Sequence, residues 1–253
     1  MDMIRKPTER FSDRVDDYVK YRPGYPPAVL DCLRVHCGLV ATAVIADIGS
    51  GTGKLTQLLL DNGNRVYAVE PNDPMRLAAE ILFAQNPHFI SSKGTAEQTT
   101  LSDHSIDLIT VGQAFHWFDA AKTRIEFQRI LKPEAFVALI WNTRKVEGTP
   151  FMQAFENVFR AYSPDYKIVH HSHNDHKINE LFTTGCQTCT LSNQQDFDFA
   201  GLKGRALSSS YAPAPDNPQH IPFVKALQTL FNEFEQNGRI YFDYATQVFY
   251  GRL

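Results

Sequence analysis

Short apolar runs alternate with amphipathic segments through the first half of the chain. The apolar runs predict strands at residues 43–48, 65–69, 107–111 and 135–141, with a weaker candidate at 89–91. Apolar residues at helical spacing predict helices at 54–62, 73–85 and 120–131, and an earlier helix at 28–37 follows a Pro-rich break. Runs that are apolar throughout are typical of strands buried on both faces. The alternation therefore predicts βαβ units and a parallel sheet.

Beyond residue 143 this alternation lapses. The chain is helical and rich in loops to about residue 184, and later patterns predict a strand at 188–194, helices at 199–210 and 223–236, and a terminal run of β-formers at 240–250. We predict one domain over residues 1–253. Its core is 41–142, and the N-terminal helical arm (1–40) and the insert at 143–184 form a lid.

Composition narrows the class of protein. Of the 253 residues 43% are hydrophobic, the net charge is −3, and no run of Lys or Arg stands out, so neither nucleic acid nor a membrane surface is an expected partner. The N-terminus lacks an apolar leader, and no segment reaches the roughly 20 apolar residues of a spanning helix. Four cysteines do not form a disulfide framework, so we expect a cytoplasmic protein.

A glycine-rich turn, Asp47-Ile48-Gly49-Ser50-Gly51-Thr52-Gly53, follows the first buried strand and opens a helix. A dinucleotide fingerprint counted from Gly49 needs glycine where Lys54 stands, and a phosphate-binding P-loop needs Ser or Thr where Leu55 stands. Both patterns fail. An acidic residue followed by three alternating glycines suits a ligand without a pyrophosphate.

Several motifs resemble those of class I methyltransferases that use S-adenosylmethionine (SAM). The first family motif matches residues 47–53, the acid after the second strand matches Glu70, and a third element matches 94–97 followed by 105–109. The arm at 18–26, the segment 113–117 and the C-terminal residues resemble a small-molecule subset related to the trans-aconitate methyltransferases. The resemblance implies a Rossmann-like three-layer sandwich, with a mostly parallel seven-stranded sheet, an antiparallel C-terminal strand and a helical lid.

The resemblance also implies SAM as the cofactor and roles for individual residues. Glu70 would accept hydrogen bonds from both ribose hydroxyls, and Asp47 would meet the methionine amino group, directly or through water. For Glu97 the alternative to a contact with adenine is an ordinary surface acid, and for Met75 it is a core position. Arg22 can close over the methionine carboxylate or stabilise the Pro23 turn. The implied cofactor residues are Tyr18, Arg22, Asp47, Gly49, Ser50, Gly51, Gly53, Glu70, Pro71, Met75, Ala96, Glu97 and Gln113.

The acceptor is expected to be a small organic molecule, methylated on a carboxylate or hydroxyl oxygen. His116 is the candidate base, and its alternative is a structural histidine in an aromatic wall. The candidate pocket residues are Tyr25, Phe115, Trp117, Arg144 and Arg205. No metal is expected, since Cys186 and Cys189 form a lone C-x-x-C pair. A non-catalytic SAM-binding protein and a nicotinamide-dependent oxidoreductase are the competing hypotheses, and both a monomer and a homodimer remain open.

Overall fold

A computed structural model of the chain describes residues 21–163, 166, 175–209 and 211–253. The helices are α1 (Ala28–Cys37), α2 (Lys54–Asp61), α3 (Asp73–Leu82), α4 (Ala120–Ile130), α5 (Pro150–Tyr162), α6 (Asp175–Leu181), α7 (Phe199–Leu207) and α8 (His220–Phe234). The strands are β1 (Val44–Ile48), β2 (Arg65–Val69), β3 (Phe89–Ser92), β4 (Ile106–Gly112), β5 (Leu131–Arg144), β6 (Gln187–Phe197) and β7 (Ile240–Gly251).

The seven strands form one sheet in the order β3-β2-β1-β4-β5-β7-β6. Neighbours from β3 to β5 pair in parallel, whereas β7 lies antiparallel between β5 and β6. Strand order reverses at β1, so the carboxyl ends of β1 and β4 border the crevice where ligands of open α/β sheets bind. The predicted fold class, including the antiparallel C-terminal strand, is confirmed.

Helices cover both faces of the sheet. Apolar side chains of α1 and α2 pack on one face with Ile45 and Leu108, and those of α4 and α6 pack on the other face with Ile109 and Val111. Successive residues of β4 thus serve opposite layers, because side chains alternate across a strand. This explains the continuous apolar runs in the sequence.

A third apolar cluster lies beyond the end of β5 and is formed mainly by α5, α7 and α8, which we call the cap. It includes Phe155, Phe159 and Phe223, together with Phe242 from the start of β7. The segment 143–184 is divided between two places: α5 joins the cap, while Ile178 and other residues of α6 pack against the sheet layer that contains α4. A lid function for this segment stays a prediction.

Candidate cofactor-binding and active site

The glycine turn joins β1 to α2 and has three glycines in the left-handed region, with φ of 67° at Gly49, 58° at Gly51 and 87° at Gly53. The amide of Gly49 donates to the carbonyl oxygen of Val69 at 2.8 Å, which holds the turn against β2. A Cβ atom at Gly53 would lie 2.3 Å from the ring of Phe83, whereas at Gly51 the nearest atom would be the Met75 sulfur at 3.8 Å. Gly53 is therefore closed by packing, whereas a side chain at Gly51 would make only an ordinary contact with Met75.

Glu70 follows β2 and faces this turn. Its Oε2 accepts a hydrogen bond from the amide of Gly51 at 2.8 Å, and its Oε1 accepts one from the amide of Asn72 at 2.8 Å. Burial raises the pKa of this carboxyl. A carboxylate oxygen can accept more than one hydrogen bond, so these two contacts leave acceptor capacity toward the space beside Gly51.

Asp47 lies near the carboxyl end of β1 and is buried, with only 1% of its surface exposed. Thr56 Oγ1 donates to it at 2.6 Å from α2, and Thr110 Oγ1 donates at 3.1 Å from β4. Burial raises the pKa of Asp47 to about 6. The carboxyl thus ties two elements to the turn. Thr56 and Thr110 were not among the residues predicted from the sequence. A hydroxyl residue that can face a buried acid is the signal that could have indicated them.

The remaining cofactor candidates lie in the segments that follow β1, β2 and β3. Met75 is buried beside Gly51 at the start of α3, where the side chain of Asn72 caps the helix by accepting from the Met75 amide at 3.0 Å. Ala96 lies in the core, and Glu97 Oε1 accepts from the amide of Asp119 at 2.9 Å, just before α4. Ser50 and Pro71 lie in the two turns that follow β1 and β2, next to Gly51 and Glu70.

Part of the N-terminal arm crosses the same edge of the sheet. Tyr18 lies outside the described residues. Arg22 donates from Nη2 to the carbonyl oxygen of Ser208 at 3.0 Å, and its charge acts on Lys54. Burial, and then the charge of Arg22, lowers the pKa of Lys54. Two cations thus converge on the glycine turn, and Lys54 was not among the predicted site residues.

Tyr25 and Gln113 both lie at the end of β4. A Cβ atom at Gly112 would lie 2.5 Å from the Tyr25 hydroxyl, so the arm rests directly on this strand end. Gln113 has a positive φ of 58°, which is uncommon for a residue with a side chain. Its amide donates to Ile140 O at 2.9 Å and its Nε2 donates to Asn142 O at 3.0 Å.

A short 3₁₀ turn, Phe115–Trp117, carries the aromatic candidates. Phe115 is fully buried against Phe118 and Trp141. It therefore belongs to the core, and not to the wall of the pocket in which we predicted it. Trp117 is 38% exposed, and its ring centroid lies 4.6 Å from that of His116.

Arg144 and Arg205 both face the cap. Arg144 Nη2 donates to Glu156 Oε2 at 2.7 Å and to the Tyr166 hydroxyl at 3.0 Å, so a buried carboxylate balances its charge. Arg205 is 7% exposed and donates from Nε to the Tyr244 hydroxyl at 3.2 Å. These contacts place both cations at the boundary between the sheet edge and the cap.

A separate cavity lies at the amino ends of the strands, away from the glycine turn. This cavity of about 330 Å³ opens between α1 and the amino ends of β1 and β4, and contains Asp107 and Lys132 but none of the predicted site residues. Among the described residues, no group of three His, Cys, Asp or Glu side chains is arranged to hold a metal ion. The helices in the described part of the chain are all too short or too polar to cross a membrane.

Comparison with protein families shows what the core resembles. Residues 46–139, from the glycine turn to β5, match the methyltransferase domain family. The chain is similar to this family over that segment, which is less than half of its length. Its cofactor candidates from Asp47 to Gln113 all fall within the matched segment, whereas the arm and the cap lie outside it.

Curated relatives match about the same part of the chain. An uncharacterized methyltransferase of Mycobacterium tuberculosis is 40% identical over 134 residues, covering 53% of this chain and 52% of the relative. One from Schizosaccharomyces pombe is 34% identical over 135 residues, covering 53% of each chain. The aligned part thus spans about half the length of these relatives.

Solved structures extend the likeness of fold over nearly the whole chain. A protein of Anaeromyxobacter dehalogenans, assigned as a type II methyltransferase, superposes with a TM-score of 0.72 at 20% identity, covering 92% of this chain and 98% of the other. A protein of Anabaena variabilis, assigned to antibiotic biosynthesis as a methyltransferase, gives a TM-score of 0.60 at 21% identity, covering 92% and 99%. At these identities the similarity concerns the fold alone.

Proposed function

We propose that the protein transfers a methyl group from SAM to a carboxylate or hydroxyl oxygen of a small organic acceptor. The observation that carries this proposal is the contact between the Glu70 carboxylate and the Gly51 amide, beside a turn that is loosely packed at Gly51. A carboxylate at the end of β2 suits two ribose hydroxyls, since each hydroxyl can donate to one oxygen. A neighbour from Haemonchus contortus, a phosphoethanolamine N-methyltransferase with a TM-score of 0.53, contains S-adenosylhomocysteine, which agrees with this choice of cofactor.

The residues around the turn fit the other parts of SAM. The thioether of Met75 can pack on the adenine ring, and the cations Arg22 and Lys54 offer a positive environment for the methionine carboxylate. A pyrophosphate held by a glycine-rich fingerprint would need a third glycine where Lys54 stands. This favours SAM over a nicotinamide cofactor.

The cofactor supplies an electrophilic methyl group, so the chain has only to align the acceptor and exclude water. A carboxylate acceptor is already anionic and requires no base. A hydroxyl acceptor must lose a proton, and His116, in the turn after β4, is the histidine we propose for that step. Trp117 and Tyr25 would contribute apolar surface, and Arg205 positive charge, on the cap side of the pocket. Arg144 would border the pocket with its charge balanced by Glu156.

The activity is tested with SAM that carries a labelled methyl group and a panel of small carboxylic acids, phenols, alcohols and amines. We expect labelled product from a carboxylic acid or a hydroxyl compound, and alkaline hydrolysis separates a methyl ester from a methyl ether. Label on amines alone contradicts the proposed acceptor class. If the protein binds SAM but transfers no label to the panel or to any compound in a metabolite extract, the result supports the non-catalytic alternative. If the fluorescence of added NADH increases on binding, the result supports the oxidoreductase.

The role of His116 depends on the acceptor and is tested with His116→Gln. With a hydroxyl acceptor, loss of the base should lower kcat by about 10²-fold or more, while SAM still binds. With a carboxylate acceptor, kcat should change by less than about threefold, since no proton is removed. A large loss of kcat on a carboxylate acceptor would contradict the role as a base and favour a structural one.

A further inference from the structure

Asn142, near the end of β5, connects four separate parts of the molecule. It is 6% exposed. Its Nδ2 donates to Gly24 O in the arm at 3.0 Å, its Oδ1 accepts from Thr246 Oγ1 of β7 at 2.5 Å, and it accepts from Asn193 Nδ2 of β6 at 3.0 Å. The fourth contact is through its backbone, which binds Gln113. Such a network of buried polar groups fixes geometry, because leaving any member without its partner is costly.

Gly24 is the point where the arm is attached. Its carbonyl oxygen accepts from Asn142 and also from Asn193 Nδ2, both at 3.0 Å. Prolines at 23, 26 and 27 restrict the backbone on both sides. A displacement at Gly24 is therefore transmitted along the arm to Arg22 on one side and to Tyr25 on the other.

Both of these neighbours reach the proposed cofactor site. Arg22 acts on Lys54 at the start of α2, and the Tyr25 hydroxyl rests against Gly112. On the other side of Asn142, its main-chain oxygen holds the side chain of Gln113, whose backbone is left-handed. One residue thus contacts both the arm and the residue that follows β4.

We propose that Asn142 is a positioning residue, which fastens the arm over the cofactor site through Gly24 and orients Gln113 without touching the reacting groups itself. The inference rests on the proposed function, but its first measurement does not require a cofactor. Asn142 was not among the residues predicted from the sequence, because a polar residue in a strand carries no pattern that reveals its partners.

Two substitutions separate the arm contact from the rest of the network. Asn142→Asp removes the donor to Gly24 and keeps the oxygen that accepts from Asn193 and Thr246. Thr246→Val removes a contact on the other side of Asn142 and keeps the donor to Gly24. Asn193→Ala removes the second bond to Gly24, together with the bond from Asn193 to Asn142, and serves if Asn142→Asp does not fold. Gln194→Ala, an exposed neighbour in β6, is the control.

Hydrogen exchange of the Gly24 and Tyr25 amides and the kinetics with SAM are then compared. We expect exchange at least about tenfold faster in Asn142→Asp, and a KM for SAM about tenfold higher with kcat within about twofold, the loss expected from one buried hydrogen bond. Asn193→Ala should also raise the exchange rate and the KM. In Thr246→Val and Gln194→Ala the arm amides should exchange at the rate of the unmodified protein.

A merely structural defect would give a different pattern. Partial unfolding lowers apparent kcat in proportion to the active fraction and leaves KM unchanged. Unchanged arm exchange and unchanged KM in both Asn142→Asp and Asn193→Ala would overturn the inference. Absence of SAM binding by the unmodified protein would instead overturn the proposed function, and the exchange data would still decide whether Asn142 holds the arm.

Discussion

Gly51 and Gly53 share a left-handed backbone, but an added methyl group would meet different surroundings at each. At Gly53 it would overlap the Phe83 ring, and at Gly51 it would meet the Met75 sulfur at 3.8 Å, on the side proposed for SAM. Gly53→Ala should lower the free energy of unfolding by about 2–4 kcal/mol, from backbone strain and overpacking together. Gly51→Ala should cost only about 1 kcal/mol of backbone strain.

Urea unfolding and titration with S-adenosylhomocysteine measure the two effects separately. Gly51→Ala should unfold close to the unmodified protein and bind the ligand at least about tenfold more weakly. Gly53→Ala is the matched comparison, because the substitution is identical and only the surroundings differ. Equal stability losses in the two variants would contradict the division between packing and binding.

Asp47 gives the glycine turn a pH dependence. Burial raises its pKa to about 6, from 3.8 for the exposed group. The folded state therefore holds this proton more tightly than the unfolded state, so the stability contributed by the protonated form is complete below pH 3.8 and is lost as the pH rises through about 6. The charged, buried group should cost about 3 kcal/mol at neutral pH.

Asp47→Asn removes this titration. The difference in melting temperature between variant and unmodified protein should grow in favour of the variant between pH 4.5 and 7, because only the unmodified protein must bury a charge in that range. Asp61→Asn, which changes an exposed carboxylate in α2, should give a curve parallel to that of the unmodified protein. Parallel curves for Asp47→Asn as well would show that the carboxyl titrates normally.

At the scale of elements, Glu126 of α4 holds the loop that carries Ala96 and Glu97. Its Oε1 accepts from the Thr99 amide at 2.8 Å and from Thr99 Oγ1 at 2.6 Å, and Arg129 donates to it as well. Arg129 and these hydrogen bonds lower the pKa of Glu126 to about 2. The carboxylate therefore stabilises the fold above pH 4.5, and this contribution is lost as the pH falls toward 2.

Glu126→Gln should lower the free energy of unfolding by about 2 kcal/mol at pH 7, because two hydrogen bonds to a charged group are weakened. Urea denaturation measures this loss. Glu233→Gln, on the exposed side of α8, should change stability by less than about 0.5 kcal/mol. A Glu126→Gln variant as stable as this control would mean that the loop is held by other contacts.

The elements of the core were predictable from the sequence, but their connections at the site were not. The strand at 65–69 and the helix at 28–37 have the bounds that the pattern predicted, because burial on a central sheet or on one helix face repeats at a fixed period. Helix α5 was not delimited, since it packs in the cap against aromatic residues from distant parts of the chain. The contacts of Asn142 join residues up to 118 positions apart, and no local pattern encodes them.

At the scale of the whole molecule, two regions meet at the carboxyl edge of the sheet. The segment matched by the methyltransferase domain family, 46–139, contains the glycine turn, Glu70 and Gln113. The arm and the cap lie outside it and approach the same edge through Arg22, Tyr25 and Arg205. We infer that the core recognises the cofactor and that the arm and cap select the acceptor. Proteins that share one fold can act on different substrates, because the residues around the site differ.

The central claim is that Glu70 and the turn at Gly51 bind SAM, and calorimetric titration with S-adenosylhomocysteine tests it most directly. The unmodified protein should bind one equivalent, and Glu70→Gln should bind at least about 100-fold more weakly, because two charge-assisted hydrogen bonds to ribose are weakened. Glu80→Gln, on α3, should bind as the unmodified protein does. No binding by the unmodified protein, or equal binding by Glu70→Gln, would contradict the account.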